Sequence, residues 1–394
     1  MRLRSSRLVP VAFTLLAALA QPLPAANTYT YPELVKRMTD LRELAKLPPA
    51  GETTSLASSY DRRSRYDAAT DKYIQWDANG DGTGIVRTEN GEAVLADIQG
   101  PGCIWRTWSA TAGHGHVKIY LDGADTPTVD LPFVDYFSGK ATPFNRPNLV
   151  YGLNGHDEPP GYDNYTPIPF GKSCRIVGDK DWGNYYQFTY TRFPEGTVVP
   201  TFSMDLSKED AAALDAANAI LGQCGQSPLP FNPLEVIDHT TTRVDPGGEA
   251  VVADVSGPAA ISALKVKLDL PTDAEAQRAL LRQLTISITW DDEKTPAVWS
   301  PLGDFFGFVG GARPYRSLPL GLSNGVFYSY WYMPFSAKAH IVVGNDGPAP
   351  VSLDWRITHV AIADGVDGLA RFTPSGTATP SSRNAPTARS TGPC

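Results

Sequence analysis

Hydrolysis assisted by side-chain carboxyl groups needs two of them close together, one with a raised pKa. The candidates for such a pair are Asp61, Asp135, Glu158, Glu293 and Asp304. Asp61 precedes Arg62, a pair that either orients a polar ligand or forms a structural ion pair. Asp304 lies in a Gly-Asp-Phe-Phe turn and has a counterpart in Asp135, and such doubling points to a turn or cap. Glu293 follows Trp290 in a turn and reads as solvated. None of the five is assigned a catalytic role from the sequence. Around them, Tyr328, Tyr330, Trp331 and Tyr332 offer ring faces, although alternation along a strand sends half of such rings into the core. Asp77, Asn79 and Asp81 have the spacing of a calcium loop. Thr88 stands where a bidentate Glu belongs, so an Asx-rich turn is the competing reading. His114 and His116 can share a strand face, but no nearby Cys or carboxylate cluster completes a zinc site. Nucleophile-elbow, phosphate-loop and dinucleotide motifs are absent.

The composition limits what can carry these groups. The 394 residues include 35 Gly, 34 Pro and 10% aromatics, which suits many short strands joined by tight turns. The net charge is -8 and no long basic run occurs, so nucleic acid is not an expected partner. Arg2, Arg4 and Arg7 precede the apolar stretch Leu8 to Ala20, and small residues follow at Ala18-Leu19-Ala20 and Pro24-Ala25-Ala26. That is the pattern of a secretory signal over residues 1–26, too short to span a membrane well, with an uncleaved anchor as the alternative. A secreted or periplasmic protein is expected, with no membrane span once the signal is removed. Four cysteines, Cys103, Cys174, Cys224 and Cys394, form no dense disulfide framework. Cys103 and Cys174 read either as a bonded pair or as buried free thiols.

Helical spacing runs from Tyr31 to Leu47, between Pro32 and Pro48-Pro49, and again from Lys208 to Leu221 behind a Ser207 cap. A third helix is expected within Leu270 to Leu284. Elsewhere the pattern alternates with period two, and the strand blocks occur twice. Val117-Lys118-Ile119-Tyr120-Leu121-Asp122-Gly123 is answered by Ile286-Ser287-Ile288-Thr289-Trp290-Asp291-Asp292. Asp122 to Asp135 and Asp291 to Asp304 are separated identically, as are Phe170 to Ile176 and Phe335 to Ile341. The fold class expected is all-β: two related β-sandwich repeats with short accessory helices. The domain plan is a signal at 1–26, a helical segment at 27–50, a first sandwich at 51–205, a helical linker at 206–225, a second sandwich at 226–362, and a disordered or frameshifted tail at 363–394.

Several of these motifs together resemble glycoside hydrolase family 172. They are Ser58-Ser59-Tyr60-Asp61-Arg62-Arg63, the Gly100-Pro101-Gly102 strand lead, Gly303-Asp304-Phe305-Phe306-Gly307, and Tyr330-Trp331-Tyr332-Met333-Pro334-Phe335. The resemblance covers roughly Gly51 to Thr358. It implies a double jelly roll, assembly as a trimer or larger homo-oligomer, and retaining action on furanosides such as D-arabinan or difructose dianhydride. It also makes Asp61, Arg62, Asp304, Tyr330 and Trp331 the expected substrate-binding residues for a glycan. The family's nucleophile resembles the Glu of a Gly-Thr-Glu-Asp-Tyr segment beyond the Met-Pro-Phe motif, and this sequence has no such segment. Synonymous codons for Arg371 to Cys394 can be chosen so that one nucleotide restored after Phe372 yields a family-like continuation. The expectation is a chain truncated by a frameshift and lacking its catalytic carboxylates. A non-catalytic carbohydrate-binding or structural module is the alternative. No cofactor is expected apart from a structural calcium at Asp77, Asn79 and Asp81.

Overall fold

The computed structural model describes residues 27–153, 161–179, 185–230, 232–309 and 315–373. The signal segment, Glu158, Cys394 and residues 374–394 lie outside them. The architecture is all-β, and the named strands among the described residues pair antiparallel. One sheet of the first sandwich orders its strands Thr53–Ser58, Tyr186–Arg192, Gly102–Ser109, Gly161–Asn164 and Val150–Leu153. The facing sheet runs Arg87–Glu89, Glu92–Gln99, Ser173–Gly178, His116–Leu121 and Val129–Pro132.

The second sandwich repeats this order. Val236–Val244, Val351–Ala361, Ala259–Leu268, Val326–Ser329 and Leu320–Ser323 form one sheet, extended by Tyr315–Arg316. Gly248–Ser256, Lys338–Asn345, Leu284–Trp290 and Val298–Pro301 form the other. Even the short partners correspond: Ile168–Phe170 pairs with Gly102–Ser109 as Met333–Phe335 pairs with Ala259–Leu268. Each sandwich closes over its own apolar core, because the inward residues of both sheets must leave water together. Val117, Ile119, Leu121 and Ile176 belong to the first core; Ile286, Ile288, Trp290 and Ile341 belong to the second.

The repeat extends to hydrogen bonds. Asp122 and Asp291 both adopt positive φ (57° and 54°) at the turn after equivalent strands. The Asp122 carboxylate accepts the amides of Lys172 and Ser173, and that of Asp291 accepts those of Ser336, Ala337 and Lys338. In each sandwich one carboxylate therefore ties a turn to the start of the neighbouring strand. Asp135 and Asp304 likewise occupy equivalent single-turn helices, Asp135–Phe137 and Leu302–Phe305.

The N-terminal segment differs from its expected form. The helix is only Tyr31–Arg37, begun by a Thr30–Glu33 capping box, followed by a 3-10 turn at Glu43–Ala45. Asp40 interrupts the spacing between them: it accepts the backbone amide and the guanidinium of Arg42, a local bond that competes with helical pairing. This segment bridges the two sandwiches. Tyr29 donates its amide to Val198, Tyr31 donates its hydroxyl to Pro167, and Leu41 packs with Ala263, Tyr328 and Tyr330. The two longer helices among the described residues are Lys208–Gly222, capped by Ser207, and Ala274–Gln283, capped by Asp273.

Residues 363–373, placed in the tail by the domain plan, are packed as far as they are described. Leu47 donates to Gly368, Ala370 donates to Ala45, and the Phe372 ring meets Phe305 and Trp331. Their low apolar periodicity hid these contacts, because backbone pairing and one ring carry them. Cys103 and Cys174 are both buried free thiols.

Candidate functional site

Arg37, Glu52 and Trp105 meet on the outward side of the first sandwich's larger sheet, where a cavity of about 670 Å³ opens. The helix Tyr31–Arg37 delivers Arg37 at its C-terminal end, where a cation complements the helix dipole. The central strand Gly102–Ser109 delivers Trp105 and Arg106, while its neighbours contribute Thr54, Thr189 and Thr191. Tyr151 and Tyr165 form one wall as stacked rings 6.3 Å apart at 26°. Ser317, Leu318 and Pro319 reach in from the second sandwich. The cavity is therefore a product of the two repeats and the N-terminal bridge together.

Its polar groups are held firmly. Arg37 Nη2 lies 2.6 Å from Glu52 Oε1, and the guanidinium is boxed by the rings of Tyr29, Trp105 and Phe193 at 5.5–5.9 Å. Arg37 Nη1 and Glu52 Oε2 are buried with no hydrogen-bond partner among the described residues. Each such orphan costs about 1–3 kcal/mol, so this wall is not optimised for packing alone. Trp105 donates its indole N–H to Thr191 Oγ1 at 2.8 Å, which fixes the ring. Arg106 donates to Asp163 Oδ1 at 2.8 Å and to Gln187 Oε1 at 3.2 Å. Burial raises the Asp163 carboxyl above the usual range, against the opposing pull of Arg106. Burial also raises the Tyr151 phenol, so it stays protonated as a donor. Flat aromatic faces beside charged and hydroxyl groups suit a polyhydroxylated ligand, which presents both apolar C–H faces and hydrogen-bonding edges.

The residues singled out by sequence fall outside this cavity and in separate groups: Asp61 meets Asp81, and Tyr328 packs on Tyr330 with ring centroids 4.9 Å apart. Asp61 is buried, and its partner is Arg63 rather than Arg62. It accepts the Arg63 guanidinium at 2.5 Å and the amides of Arg63 and Gly80, and the Arg63 bonds hold its carboxyl well below the usual range. Arg62 donates to the carbonyls of Ser58 and Ile85 and lies 4.0 Å over the Tyr60 ring. Asp304 is paired with Arg282 Nη1 at 2.7 Å. Glu293 is exposed. Tyr330 is buried, donates to the Gly225 carbonyl and lines a second pocket; Trp331 packs on Phe372 instead.

In the calcium-like loop, Asp81 Oδ1 accepts the Asp61 amide, so the loop folds onto Asp61 as a turn. No group of three or more His, Cys, Asp or Glu side chains able to hold a metal is found among the described residues. His116 pairs with Asp130 at 2.7 Å, and His114 is exposed. The cavity residues Arg37, Glu52, Trp105 and Tyr151 carried no motif. The one signal available was Trp105-Arg106, a ring and a cation in an otherwise buried strand.

The profile of the GH172 first beta-sandwich domain matches residues 50–210, and the GH172 domain-like profile matches residues 235–355. The chain belongs to the GH172 family. The boundary between the two matches coincides with the boundary between the sandwiches, so the family's two units are the two repeats described above. No curated protein matches this GH172 chain in sequence. Among solved structures, it is similar to a conserved protein of unknown function from Pseudomonas aeruginosa PAO1, at 10% identity and a TM-score of 0.15. That likeness covers 68% of this chain and 87% of the other. It is also similar to the major capsid protein P2 of bacteriophage PM2, at 9% identity and a TM-score of 0.19, over 79% of this chain and 100% of that one. Among the described residues, no helix is long and apolar enough to cross a membrane.

Proposed function

We propose that this GH172 chain is an exported carbohydrate-active protein that binds furanoside glycans in the 670 Å³ cavity and, as this polypeptide, does not hydrolyse them. One observation carries the binding-without-turnover reading. Glu52 is the single carboxylate among the described lining residues, and it is already paired with Arg37. Retaining hydrolysis needs a nucleophile and an acid/base, both free to face the anomeric carbon. Family membership and the fixed aromatic wall support the glycan, and the family resemblance supports the furanose ring.

Calorimetric titration with arabinofuranosyl and fructofuranosyl oligosaccharides tests the reading directly. Saturable binding is expected, and Trp105→Ala should weaken it about two- to tenfold, since a stacked ring contributes about 0.5–1.5 kcal/mol beyond its area. Binding that Trp105→Ala leaves unchanged overturns the assignment of the cavity. Furanoside turnover by the unaltered chain at high enzyme concentration overturns the non-catalytic part.

Assembly as a homo-oligomer belongs to the same proposal. The hairpin Arg65–Asp67 and Lys72–Ile74 exposes Tyr66 (53%) and Tyr73 (65%), and Trp76 beyond it is 73% exposed. Clustered exposed rings are costly in water and suit an interface with a second copy. A trimer is expected by light scattering, and Tyr73→Ser with Trp76→Ser should shift the mass to that of the monomer. A monomeric parent protein removes this element of the proposal.

A further inference from the structure

Lys265 and Arg356 stand directly opposite each other on neighbouring antiparallel strands of the second sandwich. Lys267, two residues along, points to the same face. All three line a pocket of about 410 Å³ together with Tyr330 and Asn324. Like charges directly opposed on a ladder destabilise it. Burial, reinforced by Arg356, holds the Lys265 ammonium below its usual pKa, as expected of a cation lacking compensation. No carboxylate among the described residues forms an ion pair with Lys265, Lys267 or Arg356. Asp354, the acid in the pocket wall, stands opposite Lys267 on the same ladder but is engaged by His239 Nε2 from the adjoining strand. Three cations thus share this pocket with one carboxylate, which a histidine already engages.

The arrangement is also fixed. The Lys265 ammonium sits 5.2 Å over the Tyr330 ring, which is anchored through its hydroxyl to the Gly225 carbonyl. Asn324 occupies the tip of the hairpin joining Leu320–Ser323 to Val326–Ser329, with φ at 53°, and lines the pocket with its side. Three convergent cations with a ring beneath one of them form a cradle for an oxyanion.

We propose that this pocket is an anion-binding site that takes a compact oxyanion, the phosphate or carboxylate group of a small ligand. The site is separate from the 670 Å³ cavity and does not depend on the glycan reading of that cavity. Binding relieves the Lys265–Arg356 repulsion, so the anion stabilises the second sandwich.

Thermal-shift and calorimetric titrations with inorganic phosphate, glucuronate and neutral glucose, at ionic strength held constant with chloride, test the site. Saturable binding of phosphate or glucuronate at a Kd of about 1 mM or tighter is expected, with a raised melting temperature and no response to glucose. A response to phosphate alone identifies a phosphoryl group as the ligand, and a response to glucuronate alone identifies an acidic sugar. Arg356→Met should weaken binding at least tenfold while leaving the anion-free melting temperature unchanged or higher. Lys267→Met provides a second variant that does not disturb the opposed pair. Failure of both anions to exceed chloride overturns the proposal, as does undiminished binding in both variants. A lower anion-free melting temperature in Arg356→Met, with affinity retained, shows a structural role and also overturns it.

Discussion

Trp290→Ala is expected to destabilise the second sandwich by about 3–5 kcal/mol, the range for deleting a large aromatic side chain from a close-packed core. Trp290 is wholly buried at the last inward position of the strand Leu284–Trp290, stacked on Phe335 with centroids 5.9 Å apart and planes 11° from parallel. Truncation opens a void that neighbours anchored on two sheets cannot fill. It also removes the indole N–H that donates to the Phe372 carbonyl at 2.8 Å. That bond pins residues 368–373, whose backbone in turn pairs with Ala45 and Leu47 of the N-terminal bridge. Two readouts follow. Chemical denaturation monitored on the second sandwich should show the full loss. Limited proteolysis should open the segment near Phe372 before either core melts. Trp290→Phe separates the two effects, since it keeps a ring on Phe335 but cannot donate to the carbonyl. A loss below about 1.5 kcal/mol for Trp290→Ala would mean that the site collapses to fill the void, and the packing argument would fail.

Much of this architecture was legible in the sequence because its signals are local. Alternation of Val117, Ile119 and Leu121, and of Ile286, Ile288 and Trp290, follows from the two-residue pleat. The equal intervals around Asp122 and Asp291 reflect one topology used twice. The break at Asp40 was hidden because a side-chain bond to Arg42 overrides a helical pattern. The cavity was hidden for another reason. Arg37, Glu52, Trp105, Tyr151 and Leu318 are spread over most of the chain and meet only when strand order and the N-terminal bridge are set. Neighbours in sequence misled in the opposite sense. Asp61 adjoins Arg62, but the turn swings Arg63 onto the carboxylate and sends Arg62 to backbone carbonyls. Tyr330 and Trp331 are adjacent, yet they face a pocket and the chain's last described ring respectively.

Removing either of the doubled turn carboxylates should destabilise its own sandwich and flatten the acid limb of stability. Asp291 Oδ1 accepts three backbone amides, and Asp122 accepts two together with the Thr201 hydroxyl. An alanine leaves those amides without their acceptor and must itself hold a positive φ, which asparagine and aspartate tolerate better. About 2–4 kcal/mol is expected for each substitution, from charge-assisted hydrogen bonds and desolvated donors. Burial raises the Asp291 carboxyl, but the amides of Ala337 and Lys338 and the Arg371 cation outweigh it and hold it below its usual range. At Asp122 burial is likewise outweighed, by Thr201 and the amides of Lys172, Ser173 and Gly171. A carboxyl with a lower pKa folded than unfolded stabilises the fold fully above its unfolded value, about 3.9. That contribution disappears as pH falls through the folded value. Stability of the parent protein should therefore drop steeply below about pH 4, and each Asp→Ala variant should lose less over the same interval. The two turns belong to separate sandwiches, so their effects should add in the double variant. Calorimetric melts between about pH 3 and 7 measure both quantities. An Asp291→Ala variant that keeps the parent's full acid slope would show that other carboxylates set acid stability and would remove the turn from that role.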